Sequence, residues 1–233
     1  MIGPQLPLSV QLPDPPSFDN FHAGPNTAVA ATLRQFGEGE ASILLHGPAG
    51  TGKTHLLQAA ARAAAARRKR AAYLPLASFA ERNSAALEGF ETVELLCLDD
   101  IDGALQDRAW ALALLRLIDA VRARGGLVAL SASAPPAELP LAPLPDLRTR
   151  LAACAVFGLK PLTDADLRAL LCTRAKRRGL ELPEEVAEFL LRRLPRDVPS
   201  LLAALETLDR GSLSAQRRLT IPFVQQALPA LGR

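Results

Sequence analysis

Gly47-Pro48-Ala49-Gly50-Thr51-Gly52-Lys53-Thr54, followed by His55, restricts what this chain can fold into more than any other segment. The eight residues satisfy the spacing G-x-x-x-x-G-K-[ST]. A short apolar run, Ser42-Ile43-Leu44-Leu45-His46, precedes them, and residues 53–68 follow in helical composition. Strand, glycine-rich turn, helix is the order a phosphate-binding loop requires. The glycines let successive backbone N–H groups curl around phosphate oxygens, and the helix presents its positive end to the same point. Lys53 is expected to reach the β- and γ-phosphates of a nucleotide, and the Thr54 hydroxyl to ligate Mg²⁺.

A loop of this kind belongs on a parallel sheet. Residues 71–74, 93–98 and 127–131 are further apolar runs that read as strands buried on both faces, with helical segments at 77–87 and 107–124 between them. The expected fold class is therefore α/β, a parallel five-stranded sheet flanked by helices. The run Leu95-Leu96-Cys97-Leu98 ends in Asp99-Asp100, which puts two carboxylates at the carboxyl edge of the sheet, where open α/β sheets bind ligands. Asp99 is expected beside the metal, and Asp100 is placed to orient an attacking water. A helix over residues 26–36, capped by Asn26, precedes the first strand.

After Pro161 the pattern turns wholly helical, with helices expected over 164–178, 184–194, 199–210 and 222–228. Residues 1–16 hold five prolines and no periodicity, which reads as an extended arm. The expected organisation is an arm (1–16), a nucleotide-binding domain (17–160) and a small helical lid (161–233).

Composition excludes several classes. With 233 residues and 49% hydrophobic content, the chain can bury a full core. No apolar run reaches the ~18–20 residues of a membrane span, and the N-terminus has no signal-peptide pattern. A net charge of +3 does not mark a dedicated nucleic-acid binder. Cys97, Cys154 and Cys172 lie far apart with no C-x-x-C pair. They fit neither a disulfide framework nor a zinc site, and are expected as buried small hydrophobes in a reducing cytoplasm. Arg67-Arg68-Lys69-Arg70 ends the helix after the loop, where positive charge complements the helix dipole.

Taken together, these residues resemble the DnaA-related AAA+ proteins, and more closely the shortened Hda branch, whose members inactivate the replication initiator DnaA. Ser17-Phe18-Asp19-Asn20-Phe21 with Gly24-Pro25-Asn26 resembles the segment that covers the adenine in that family, which implies nucleotide contacts for Phe18 and Phe21. Gln5-Leu6-Pro7-Leu8 resembles the motif by which Hda proteins bind the sliding clamp, the β subunit of DNA polymerase III; a glutamine with spaced leucines on an extended segment suits a preformed groove. Arg217-Arg218-Leu219-Thr220-Ile221-Pro222-Phe223-Val224 resembles the C-terminal signature of the branch. The chain ends after the lid helices, so the duplex-reading domain that follows the lid in DnaA is expected to be missing.

Asp146-Leu147-Arg148-Thr149-Arg150-Leu151 resembles the box that holds the family's arginine finger, and Arg150 matches the finger. Two positions depart from DnaA. Ser133 stands at the sensor after the fourth core strand, where relatives carry an acidic residue. Pro199 stands where the lid arginine called sensor 2 is expected, with Arg196 one turn earlier. The resemblance implies a cytoplasmic bacterial protein that holds ADP or ATP with Mg²⁺ and has weak hydrolysis of its own at most. It implies binding to the clamp and stimulation of hydrolysis of DnaA-bound ATP, a check on replication initiation. Self-association stays open. A helicase-loading ATPase of the DnaC kind and a DnaA-like oligomerising module are the alternative readings of the same core.

Overall fold

The computed structural model describes residues 14–35, 42–79, 83–140, 144–215 and 219–228. The clamp-like segment Gln5–Leu8, Phe36 and the pair Arg217-Arg218 lie outside these residues.

Strands β1 (Ser42–His46), β2 (Ala71–Pro75), β3 (Leu95–Asp99), β4 (Leu127–Ala132) and β5 (Ala155–Gly158) form one sheet in the order β2-β3-β4-β1-β5. Every pairing is parallel. The alternation of side chains along a strand sorts the apolar residues into two cores. Ile43 and Leu45 of β1, with Leu95 and Cys97 of β3, face α1 (Thr27–Arg34) and α2 (Lys53–Ala66). Leu44, Leu96 and Leu98 face the other way, against α4 (Arg108–Ala123) and α5 (Pro145–Ala152). Because both faces are covered, the strands read as continuous apolar runs.

The expected parallel sheet and helical lid are present, with local differences. The helix anticipated over 77–87 is instead two 3-10 turns, Leu76–Phe79 and Ser84–Leu87. A short helix, α3 (Asp102–Gln106), precedes α4, and the Asp107 carboxylate caps α4 through the N–H groups of Ala109 and Trp110. Helix α2 stops at Ala66 rather than Arg68. Arg68 takes φ +61°, and Lys69 N–H donates back to Ala64 C=O at 3.0 Å, so the carbonyls at the helix end are satisfied by a left-handed turn.

Asn26 is a correction of role. It precedes α1, yet its side chain makes no capping bond. Its amide spans to the far end of the core instead. Nδ2 donates to Lys160 C=O at 2.9 Å and Oδ1 accepts from Lys160 N–H at 2.8 Å. One buried side chain thus pins the backbone where the chain leaves β5 for the last helices.

Those helices are α6 (Asp164–Arg177), α7 (Glu184–Arg193), α8 (Val198–Ala215) and α9 (Ile221–Ala227). Thr163 and Asp166 form a reciprocal capping box at the start of α6. Two apolar clusters, one around Leu167, Leu171 and Leu205 and one around Val186, Leu190 and Val224, hold the four together. The expectation of three buried thiols fails at Cys172, which is exposed, while Cys97 is buried and Cys154 intermediate. Leu167, Leu170, Leu171 and Ala175 define the buried stripe of α6, and position 172 lies off that stripe. No helix among the described residues is long and apolar enough to cross a membrane.

Candidate functional site

The loop after β1 wraps tightly because two of its glycines leave no room for a side chain. Gly47 has φ +142°, and a Cβ there would lie 2.5 Å from Leu159 C=O. Gly52 has φ +97°, and a Cβ there would lie 2.6 Å from the Phe21 ring. Lys53 folds back over the loop, its Nζ donating to Gly47 C=O at 2.6 Å and to Pro48 C=O at 3.0 Å. The Lys53 side chain is buried, and no carboxylate pairs with it among the described residues. Carbonyls take two of its three N–H donors without cancelling its charge. The donor set therefore fits an anion such as a nucleotide phosphate, with the Thr51 hydroxyl already turned inward onto Pro48 C=O.

The carboxylates stand at the end of β3. Asp99 is buried, and both its oxygens accept hydrogen bonds, one from Tyr73 O–H at 2.7 Å and one from the Ser131 hydroxyl. Burial, and then the bond to the Asp99 carboxylate, hold the Tyr73 phenol well above its ordinary pKa. Ser131 on β4 also accepts from Asp100 N–H at 2.9 Å, which fixes the left-handed backbone of Asp100 at φ +55°. Burial raises the Asp100 carboxyl pKa; the neighbouring Asp99 charge adds to the rise and Lys53 opposes it. A carboxylate accepts at about four lone-pair positions, so Asp99 keeps capacity for a cation beyond its two hydrogen bonds, and the Thr54 hydroxyl is exposed. Neither Tyr73 nor Ser131 stood out in the sequence, since a tyrosine and a serine inside apolar strands look like ordinary strand residues.

A cleft forms where the loop meets the last helices. Asn20, Phe21, His22, Gly50 to Gly52 and His55 line one side, and Leu162, Leu170, Arg174, Val198 and Leu202 the other. Phe21 and His55 pack with ring centroids 5.3 Å apart. Phe18 does not enter this cleft. It packs in the core on the α1–α2 side, with the Arg34 guanidinium 5.4 Å from its ring.

His55 is in contact with Ser17 C=O at 2.9 Å through Nε2, and burial lowers its pKa. A group whose folded pKa is depressed binds fewer protons folded than unfolded. For a histidine this stability is complete above the unfolded value near 6.5 and is lost as pH falls from there through the folded pKa. Urea midpoints measured from pH 7.5 to 5 are expected to fall over that window, and His55→Gln to flatten the part of the fall that this imidazole contributes. An unchanged profile in the variant would show that the charge on His55 is not felt.

The remaining candidates lie apart from the cleft. Ser133 is exposed and donates from N–H and Oγ to the Asp102 carboxylate. Arg150 on α5 is half exposed and paired with Asp119 of α4, Nε to Oδ1 at 2.6 Å. Arg196 is exposed and pairs with Asp164 at 3.4 Å. Pro199 is the second residue of α8. The residue just before α8 is acidic: Asp197 accepts from Ser200 N–H at 2.8 Å, and its Cβ lies 3.6 Å from where a Gly50 Cβ would stand.

Comparison with known proteins decides the family. The family model of the bacterial DnaA ATPase domain matches residues 13–158, more than half of the chain. The chain belongs to the bacterial DnaA ATPase-domain family. The model of the Hda lid domain matches residues 164–228, so the protein is a DnaA-related AAA+ protein with an Hda-type lid. Among solved structures, domain III of DnaA from Thermotoga maritima is 19% identical, with a TM-score of 0.79 over 94% of this chain and 98% of the other. AMPPCP-bound DnaA from Aquifex aeolicus is 21% identical, with a TM-score of 0.74 over 89% and 69%. RuvB, the Holliday junction branch migration motor of Thermotoga maritima, aligns at 18% identity and TM-score 0.68 over 92% and 72%. At such identities the likeness is one of fold.

Proposed function

We propose that this protein is a nucleotide-dependent negative regulator of DnaA that lends Arg150 to ATP held by DnaA. The observation that carries the proposal is the placement of Arg150. It lies outside the residues that line its own cleft, at the protein surface, paired with the half-exposed carboxylate of Asp119. An arginine so placed is available to a neighbour's nucleotide, where such a residue stabilises the charge developing on the γ-phosphate.

The cleft would hold an adenine nucleotide, with Phe21 beside the base and Lys53 with the loop amides on the phosphates. Thr54 and Asp99 would hold Mg²⁺, which when bound neutralises charge between the phosphates. Asp100 would orient a water. At the start of α8, Asp197 stands close to the loop, with its Cβ 3.6 Å from where a Gly50 Cβ would lie, and Pro199 occupies the position where the resemblance expects an arginine, which disfavours a third phosphate. On this reading ADP is the resident nucleotide, and the protein's own hydrolysis is slow. The arm with Gln5, Leu6, Pro7 and Leu8 would tether the protein to the sliding clamp and raise its local concentration near DnaA.

The test is hydrolysis of ATP pre-bound to DnaA, with this protein, ADP and DNA-loaded clamp. Acceleration that needs all three components is expected. If clamp binding persists but DnaA hydrolysis does not change, the core has another client, such as a replicative helicase.

A further inference from the structure

The segment that carries Phe21 into the cleft is held from two sides. From the last helices, Arg174 donates from Nη2 to Asn20 C=O at 2.7 Å, and Arg177 donates from Nη2 to Asp19 C=O at 2.9 Å. From the phosphate-loop helix, His55 reaches Ser17 C=O at 2.9 Å. Three carbonyls of residues 17–20 are thus captured by two elements far apart in sequence. The Asn20 side chain closes the same segment on itself: its Oδ1 accepts from Ser17 N–H at 2.9 Å, and its Nδ2 donates to Pro15 C=O at 3.0 Å.

Arg174 is a costly residue to place there. It is partly buried, and burial, with help from the charge of Arg177, lowers its pKa. No carboxylate pairs with it among the described residues, unlike Arg178, which has Asp209 at 3.6 Å. The charge of Asp14 favours the guanidinium without forming an ion pair with it, and a guanidinium withdrawn from water on those terms is unfavourable unless its hydrogen bond does something the fold or the ligand requires. The bond it makes is to the carbonyl immediately before Phe21. Phe21 in turn lies against Gly52, so closely that a Cβ would be 2.6 Å from the ring.

We propose that Arg174 and Arg177 are positioning residues for base recognition. They latch residues 17–20 to α6, so that the aromatic wall formed by Phe21 stands in place only while α6 sits against the loop. Occupancy of the cleft and the placement of the N-terminal segment are then one equilibrium. The inference rests on the reading of the cleft as a nucleotide site. It assigns the two arginines to the base side through the backbone, not to the phosphates.

The experiment compares full-length wild type, Arg174→Ala, Arg174→Lys and the Arg174→Ala/Arg177→Ala pair. Competition binding with ADP, GDP and inorganic pyrophosphate is measured, together with amide hydrogen exchange without nucleotide. Losing a charge-assisted bond of this kind predicts about a tenfold loss of ADP affinity. The ADP-to-GDP ratio should narrow, pyrophosphate affinity should hold, and the lysine variant should be partly restored. Amides of residues 17–22 should exchange faster in the alanine variants while those of β1 stay protected. Equal losses for ADP and pyrophosphate would overturn the proposal, because Arg174 would then be a phosphate ligand. Unchanged exchange at residues 17–22 would overturn it also. Wild type that binds no ADP would instead sink the nucleotide reading of the cleft, while the exchange data would still decide whether the latch exists.

Discussion

Arg150→Ala is expected to abolish the stimulation of DnaA-bound ATP hydrolysis, a loss of ~10³–10⁵-fold if the arginine acts in trans. ADP binding and the unfolding transition should change little. The guanidinium is exposed and paired with one exposed carboxylate, and such pairs add little to stability. Its loss therefore removes a chemical group from a surface without disturbing what lies beneath. Asp119→Ala is the matched control. It frees the guanidinium from its resting partner and should preserve the stimulation. The measurement is single-turnover release of inorganic phosphate from DnaA loaded with ATP. If Arg150→Ala stimulates as wild type does, the finger is another residue, and Arg148, on the same helix, becomes the next to test.

Gly47→Ala is expected to be the most damaging single substitution in the phosphate loop. The new methyl would enter at 2.5 Å from Leu159 C=O while the backbone sits at φ +142°, a conformation that L-residues rarely adopt. Strain of that kind costs ~1–3 kcal/mol, and overpacking against backbone adds ~1–3 kcal/mol. Leu159 cannot move aside freely, because its N–H donates to His46 C=O at 2.7 Å and the next residue is clamped by Asn26. Urea unfolding should show a lower midpoint, by about 2–5 kcal/mol in stability. Nucleotide binding should fail even in the fraction that folds, since the loop must splay. A variant that folds with wild-type stability would mean that β5 and the segment after it are softer than their hydrogen bonds suggest.

What the sequence revealed and what it hid follow physical lines. Buried parallel strands are short apolar runs, so β1 was legible to both ends and β2, β3 and β4 to within a residue or two. The loop motif was legible because glycine, lysine and threonine are each needed there for a separate reason. Strand β5 is not marked out in the sequence, since Ala155–Gly158 is a four-residue edge strand with an exposed Val156, and the apolar run that contains it, residues 151–157, begins in α5. Residues 77–87 carry helical composition, yet the described parts of that segment are two 3-10 turns, one packed on α3 and β3 and the other on α4. Asn26 had the composition of a cap but answers to Lys160, a partner 134 positions away. The latch of Arg174 and Arg177 was invisible for the same reason: its acceptors are backbone carbonyls, which no sequence pattern marks.

The strand order carries a consequence for synthesis. The loop-bearing strand β1 pairs on one edge with β4 and on the other with β5, and both are made long after it. During translation, Ile43-Leu44-Leu45 leaves the ribosome as an apolar segment with two unpaired edges, and neither is sealed until residues 127–158 have followed. At ~5–20 residues per second that interval is on the order of ten seconds. Parallel pairing across such separations is intrinsically slow. A strand that is interior in the finished sheet is therefore left with both edges open through most of synthesis, and it is the strand that leads into the phosphate loop.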